Sequence, residues 1–132
     1  MPDQAPILGI EHVQITIPVG AESIARAFYC GVLGLAEVEK PESLTGRGGL
    51  WLAVGDQMLH IGVEDGVDRS LTKAHIAYRV ADLAAWRIPL EEAGCLILES
   101  APIPGVERFE TRKPFGNRME IIERQVGSAP RT

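Results

Sequence analysis

The feature that most constrains this chain is an internal repeat, because two halves of the sequence present the same order of secondary-structure signals. Each half opens with a strand pattern that has a histidine near its start, His12 in the first half and His75 in the second. A helical pattern follows in each half, and then two or three more strand patterns. The two opening histidines are 63 positions apart, and His60 and Glu120 in the closing strands are 60 apart. These similar offsets predict a duplicated module.

Hydrophobic periodicity assigns the elements of both modules. In the first module we expect a strand, a helix ended by Gly34, and two strands joined by a tight Gly55-Asp56 turn, over residues 10–17, 21–35, 50–54 and 58–63. In the second module Asp82 is a suitable N-cap, Gly94 a suitable stop, and Pro89 is expected to kink or shorten the helix. The predicted order there is strand, helix and three strands, over residues 73–80, 83–93, 95–98, 106–111 and 118–123.

Length and composition limit the class of protein. With 132 residues, 45% of them hydrophobic, we expect one domain over 1–132, with module 1 at about 9–64, module 2 at about 73–124, and a loose tail after Val126. The apolar runs are too short to span a membrane. A net charge of −5 with no basic block argues against nucleic-acid binding. No signal peptide is visible, and Cys30 and Cys95 suit buried thiols in a reducing cytoplasm.

Strand alternation predicts which face carries the chemistry, because successive side chains point to opposite faces. In the first strand, Val13, Ile15 and Ile17 share one face, so His12 lies on the other. The same parity places His60, His75 and Glu120 opposite the aliphatic rows of their own strands. If the aliphatic faces pack on helices, all four side chains lie on a concave face, where a site is expected.

Three imidazoles and one carboxylate are ligands that suit a borderline divalent cation, Zn²⁺, Fe²⁺, Mn²⁺ or Ni²⁺. In an octahedral site these four ligands leave two adjacent positions for two neighbouring substrate oxygens. The alternative is structural: each histidine is then hydrogen-bonded within its strand, and Glu120 is simply solvated. Spacing and parity leave both interpretations open.

Parity also predicts a pocket around these residues, with polar and cationic side chains and two apolar walls. The polar lining suits a small anionic or oxygen-rich substrate. Ion pairing is the alternative, for example between Glu110 and either Arg108 or Arg118. The predicted pocket residues are Gln14, Thr16, Trp51, Met58, Arg79, Arg108, Glu110 and Arg118.

Several phrases of the sequence resemble the vicinal oxygen chelate superfamily, which includes glyoxalase I, bleomycin-resistance proteins, fosfomycin-resistance proteins, methylmalonyl-CoA epimerase and extradiol dioxygenases. The most specific phrases are Phe-Tyr-x-x-Val-Leu-Gly-Leu at 28–35 and Pro-x-Gly-Asn-Arg-x-Glu at 114–120, beside the openings Glu11-His12-Val13 and Ala74-His75-Ile76. The resemblance implies an α+β fold of two βαβββ modules forming a half-open cup. It also implies metal ligands at His12, His75 and Glu120, with His60 where many members supply a fourth.

The resemblance further implies a homodimer in which each site takes one module from each subunit. His12 and His60 would then come from one chain and His75 and Glu120 from the other. No named subfamily fits fully. Glyoxalase I has Glu and the epimerase typically Gln where His60 stands, and the fosfomycin proteins have Tyr near Glu110 and a serine loop that is not apparent here. Extradiol dioxygenases of the two-domain type need a further histidine and about twice the length.

The function that these observations favour is a metal-dependent isomerase or lyase. It would bind a small substrate through adjacent oxygens and transfer a proton, with Glu120 as the base. One alternative is a non-catalytic binder of the bleomycin-resistance type, although such proteins use aromatic walls and aromatic residues are only 5% here. Another is an Fe²⁺ dioxygenase that uses His12, His75 and Glu120.

Overall fold

The computed structural model of this chain describes residues 5–125. The predicted loose tail after Val126 lies outside the described residues. No helix among the described residues is long and apolar enough to cross a membrane. The strands are β1 (His12–Ile17), β2 (Ala36–Val38), β3 (Leu50–Val54), β4 (Gln57–Val63), β5 (His75–Arg79), β6 (Leu98–Glu99), β7 (Val106–Thr111) and β8 (Arg118–Arg124). The helices are α1 (Glu22–Ala25), which continues as a π-helix (Arg26–Val32), and α2 (Ala84–Glu92), with 3₁₀ turns at Glu42–Arg47 and Arg69–Leu71.

The strands form two four-stranded sheets with the same topology. Their orders are β1-β4-β3-β2 and β5-β8-β7-β6, and in each sheet the first two strands are parallel and the other pairs antiparallel. This arrangement confirms the α+β fold of two βαβββ modules. The register repeats as well: His12 lies opposite Met58, two residues before His60, and His75 lies opposite Arg118, two residues before Glu120.

The aliphatic faces of both sheets are buried against the helices, as strand alternation predicts. Leu59 and Ile61 of β4 are 1% and 2% exposed, and Met119 and Ile121 of β8 are 3% and 2% exposed. The helices bury the aromatic pair Phe28 and Tyr29, together with Leu90, in the same hydrophobic cluster. Side chains on the other parity of these strands therefore point away from this core.

Four elements differ from the sequence prediction. The first helix is α-helical for one turn only, since the Leu33 N–H donates to the carbonyl of Phe28, five residues back. The short strand β2 lies between the predicted helix and β3, where no strand was expected. The predicted strand at 95–98 is reduced to β6, because only Leu98 and Glu99 pair with β7. Finally, α2 runs through Pro89 and ends at Glu92.

Candidate metal centre

His75 and Glu120 form the better-defined half of the candidate site. His75 Nε2 lies 3.1 Å from Glu120 Oε1, and His75 Nδ1 lies 2.9 Å from the carbonyl oxygen of Lys73. A carbonyl oxygen only accepts, so Nδ1 carries a proton and Nε2 is the nitrogen directed at the carboxylate. This pattern, one ring nitrogen held by the backbone and the other directed into the site, is typical of metal-binding histidines.

A guanidinium compensates the buried charge of Glu120, whose side chain is 6% exposed. Arg108 Nη1 donates to Glu120 Oε2 at 3.3 Å, while Arg108 Nε and Nη2 donate to the carbonyl oxygen of Ala101. Burying an unpaired carboxylate would cost several kcal/mol. Arg108 therefore supplies the cationic partner that a buried carboxylate at Glu120 needs.

The other half of the candidate site is a stack of three rings. The His60 ring lies 3.9 Å from that of Trp51 and 4.0 Å from that of His12, measured between centroids and nearly parallel in both cases. Burial, and then the neighbouring His12, lower the pKa of His60, so its imidazole favours the neutral form. Neutral imidazole is the form that binds a metal ion. His12 Nδ1 also contacts the carboxylate of Glu11.

The four predicted ligands are thus brought together as two pairs, His12 with His60 and His75 with Glu120. Each pair lies on the face opposite the aliphatic rows of its own sheet. Within residues 5–125, no three His, Cys, Asp or Glu side chains cluster closely enough to hold a metal ion. The described chain thus presents the candidate ligands as two separate pairs, each of which we call a half-site.

Some of the predicted pocket residues form ion pairs with each other, and others lie away from the candidate ligands. Arg118 donates to Glu110 Oε2 from Nε at 3.0 Å, so the ion pairing considered as an alternative is present. Arg79 lies four residues along β5 from His75, about 13 Å away at ordinary strand rise, and lines a groove that also contains Met58.

Of the remaining predicted pocket residues, two lie beside the half-site of His12 and His60, and Thr16 lies four residues along β1 from His12. Trp51 forms the outer ring of the stack, and Gln14 lies opposite His60 in the register of β1 and β4. The Thr16 hydroxyl donates to Glu64 Oε1 at 3.1 Å.

Sequence reasoning missed a cationic junction between the modules. Arg69 is only 7% exposed, and its Nε donates to the carbonyl oxygen of Thr16 at 2.7 Å. Asn117 Nδ2 donates to the same oxygen at 3.1 Å, and Arg112 donates to the carbonyl oxygens of Arg69 and Thr72. Asn117 lies within the Pro-x-Gly-Asn-Arg-x-Glu phrase at 114–120, which the sequence analysis identified. The sequence around Arg69, by contrast, has no pattern that distinguishes a buried arginine from an exposed loop arginine.

Comparison with known proteins gives one family and many similar structures. Residues 9–121 match the model of the Glyoxalase/Bleomycin resistance protein/Dioxygenase superfamily. A crystal structure described as a glyoxalase family protein from Bacillus anthracis is 40% identical, with a TM-score of 0.84, covering 93% of this chain and 100% of that one. A comparison with curated proteins gave no significant match.

Two more distant structures support the fold alone. Lactoylglutathione lyase from Agrobacterium tumefaciens is 22% identical, with a TM-score of 0.67 over 90% of this chain and 96% of that one. The fosfomycin resistance protein FosX from Listeria monocytogenes, in complex with Mn(II) and sulfate, is 13% identical, with a TM-score of 0.73 over 92% and 94%.

Proposed function

Because the chain belongs to the Glyoxalase/Bleomycin resistance protein/Dioxygenase superfamily, we propose that it is a divalent-metal-dependent isomerase or lyase acting on a small substrate with two adjacent oxygens. The observation that carries the proposal is the repeated register. Equivalent positions of two sheets hold His12 with His60 and His75 with Glu120, all on the face turned away from the core. A structural role for one histidine would not require this repetition.

Imidazole and carboxylate ligands fit a divalent cation, but the described part of one copy supplies two ligands at each half-site. We propose that a homodimer completes the site, with His12 and His60 from one protomer and His75 and Glu120 from its partner. Three imidazoles and a carboxylate suit Zn²⁺, Fe²⁺, Mn²⁺ or Ni²⁺. The FosX structure, which holds Mn(II), shows that this fold can accommodate such an ion.

When bound, the cation would act as a Lewis acid toward the substrate oxygens. The chain's own part is to hold a base beside them. Glu120 has one oxygen directed at His75 and the other held by Arg108, so its carboxylate is fixed in orientation. That carboxylate is the group that would accept the substrate proton and return it to a neighbouring carbon.

Metal analysis tests the proposal directly. The purified protein, loaded with each candidate cation and desalted, should retain about one ion per chain. His12→Ala and Glu120→Gln should each lower metal affinity by roughly 10–100-fold or more. Glu107→Gln, in an exposed position on the neighbouring strand β7, is the matched control and should bind as the wild type does. Full occupancy in both site variants would contradict the proposal.

An Fe²⁺-dependent dioxygenase is a second candidate, favoured by the enclosure of His60. His60 is 9% exposed between two rings, whereas the side chains of His12 and His75 are 43% and 31% exposed. Such enclosure suits the three-ligand set of His12, His75 and Glu120. Oxygen consumption with catechol-like compounds by the Fe²⁺-loaded protein would distinguish it from the isomerase.

The free thiols of Cys30 and Cys95 suit the cytoplasm, where we propose that the protein works.

A further inference from the structure

The segment between β4 and β5 builds a groove at the junction of the two modules. The groove has a volume of about 400 Å³ and runs between β1 and β5. Its lining includes Gln14, Thr16, Arg69, Thr72, His75 and Asn117. One end of the groove therefore lies at His75, beside the half-site formed with Glu120.

Two arginines at this junction have no carboxylate partner. Arg69 donates only to the carbonyl and hydroxyl of Thr16 and the carbonyl of Glu64, and Arg112 donates only to the carbonyls of Arg69, Thr72 and Gly116. Within residues 5–125 neither forms an ion pair. Four other arginines do, each with a glutamate: Arg26, Arg87, Arg108 and Arg118.

The negative groups near the groove are already hydrogen-bonded. Asp68, which lines it, accepts from the backbone N–H and the hydroxyl of Ser70. Glu64 accepts from the Thr16 hydroxyl, and Glu110 is paired with Arg118. The lining thus holds Arg69 without a carboxylate partner, whereas Arg118 is paired with Glu110 and Asp68 is held by Ser70. Arg112 donates to Arg69 and Thr72 but is not part of the lining.

Arg69 carries the strongest part of the argument. It is a permanently charged group, 7% exposed. Its direct hydrogen bonds reach only neutral oxygens, so no carboxylate at ion-pair distance compensates its charge. Its Nη1 makes no hydrogen bond to the described chain and remains able to donate. A bound oxyanion would supply the counter-charge that the described residues do not.

We propose that this groove is an oxyanion-binding site that takes a carboxylate or phosphate group of a small ligand. Arg69 provides the charge, and the neighbouring polar side chains provide donors. Because the groove reaches His75, the rest of the ligand would extend toward the candidate metal centre. Its use as a substrate subsite rests on the proposed function, whereas anion binding itself does not.

A titration of the ¹⁵N-labelled full chain with inorganic phosphate, at constant ionic strength, tests the site. We expect saturable amide shifts in the residues that line the groove, with malonate as a second arm that distinguishes carboxylate from phosphate preference. Val67→Glu adds a carboxylate at an exposed position of the lining and should weaken binding roughly tenfold or more. Ile24→Glu, at an exposed position on α1, is the matched control and should leave binding within about twofold. Equal weakening by both, or shifts centred elsewhere, would overturn the proposal.

Two further measurements separate this inference from the proposed function. Arg69→Lys keeps the charge and should retain part of the affinity, whereas Arg69→Met should lose it; if Arg69→Met does not fold, the Val67→Glu comparison decides. Metal content is determined on the same samples, and the titration is run on EDTA-treated and on Zn²⁺-loaded protein. Metal binding without phosphate binding would refute the groove alone, and phosphate binding without metal binding would refute the proposed function alone.

Discussion

Glu120 shows how a single buried carboxylate is held by two different partners. Its carboxylate is nearly buried, directed at an imidazole on one side and held by a guanidinium on the other. The imidazole and the guanidinium cannot be exchanged, because only the imidazole can give up a proton and bind a metal ion. Arg108 is thus a positioning residue that orients the carboxylate.

Loss of Arg108 should therefore be costly in the metal-free protein. We expect Arg108→Met to lower the free energy of unfolding by about 2–4 kcal/mol, because Glu120 is left buried without its cation. Arg26→Met, which removes the exposed pair with Glu37, should cost no more than about 1 kcal/mol. Urea denaturation of both variants measures this, and similar losses would show that Glu120 does not depend on Arg108.

Glu22 gives a prediction about pH. The backbone N–H of Gly49 donates to Glu22 Oε2 at 3.0 Å and lowers the pKa of this carboxyl below its usual 4.5. A lowered folded-state pKa adds stability above the unfolded pKa, and this stability is lost as the pH falls through the folded value. Glu22→Gln should therefore lower Tm at pH 7 and lower it less at a pH below 4.5. Glu39→Gln is the control, and an equal Tm loss at both pH values would contradict the prediction.

At the scale of elements, Gly49 fixes how the chain enters β3, which carries Trp51. Its φ is +79°, and a Cβ at this position would lie 2.1 Å from the carbonyl oxygen of Ile61. Gly49→Ala should destabilise the protein by more than about 3 kcal/mol, since both the backbone and β4 must move. Gly20 also has a positive φ but open space around it, so Gly20→Ala should cost only about 1–2 kcal/mol. Chemical denaturation measures the free energy of unfolding of both variants. Equal losses would contradict a steric role for the contact between residue 49 and the Ile61 carbonyl oxygen.

The strands could be predicted from the sequence because alternation is a local property. β3 and β7 have the predicted bounds, and the parity of β4 and β8 placed His60 and Glu120 on the correct face. The π-helix could not be predicted, because a hydrogen bond to the fifth residue back leaves no distinct period in a short apolar segment. The distance between the two half-sites depends on how the sheets meet, which no local pattern encodes. Arg69 was missed because its burial depends on packing between the two modules, which no local pattern encodes either.

At the scale of the whole molecule, the described chain leaves apolar surface beside one half-site. Ile7 and Leu8 are each 93% exposed, and Ile10 is 67% exposed, two residues before His12. Contiguous exposed apolar side chains of this kind mark association surfaces. In the dimer that we propose, we expect the second copy to cover this segment.

Substitution of that segment should therefore weaken dimers. We expect the wild type to sediment as a dimer and Ile7→Ser/Leu8→Ser to dissociate at higher protein concentration, because buried apolar area is lost. Ile24→Ser/Ile88→Ser alters two exposed apolar residues of the helices, 57% and 66% exposed, and serves as the control. Analytical ultracentrifugation measures the dimer dissociation constant of each variant. A constant for Ile7→Ser/Leu8→Ser equal to that of the wild type would place the interface elsewhere.

Complementation between two inactive variants tests the shared site most directly. His12→Ala/His60→Ala and His75→Ala/Glu120→Gln are purified separately, mixed in urea, refolded together and assayed for bound metal. A mixed dimer regains one intact site, so random pairing should restore about a quarter of the wild-type metal content per chain, while each variant refolded alone binds none. A refolded mixture that remains as metal-free as its components, beside a wild type that binds, would contradict the sharing of one cation between two copies of this chain.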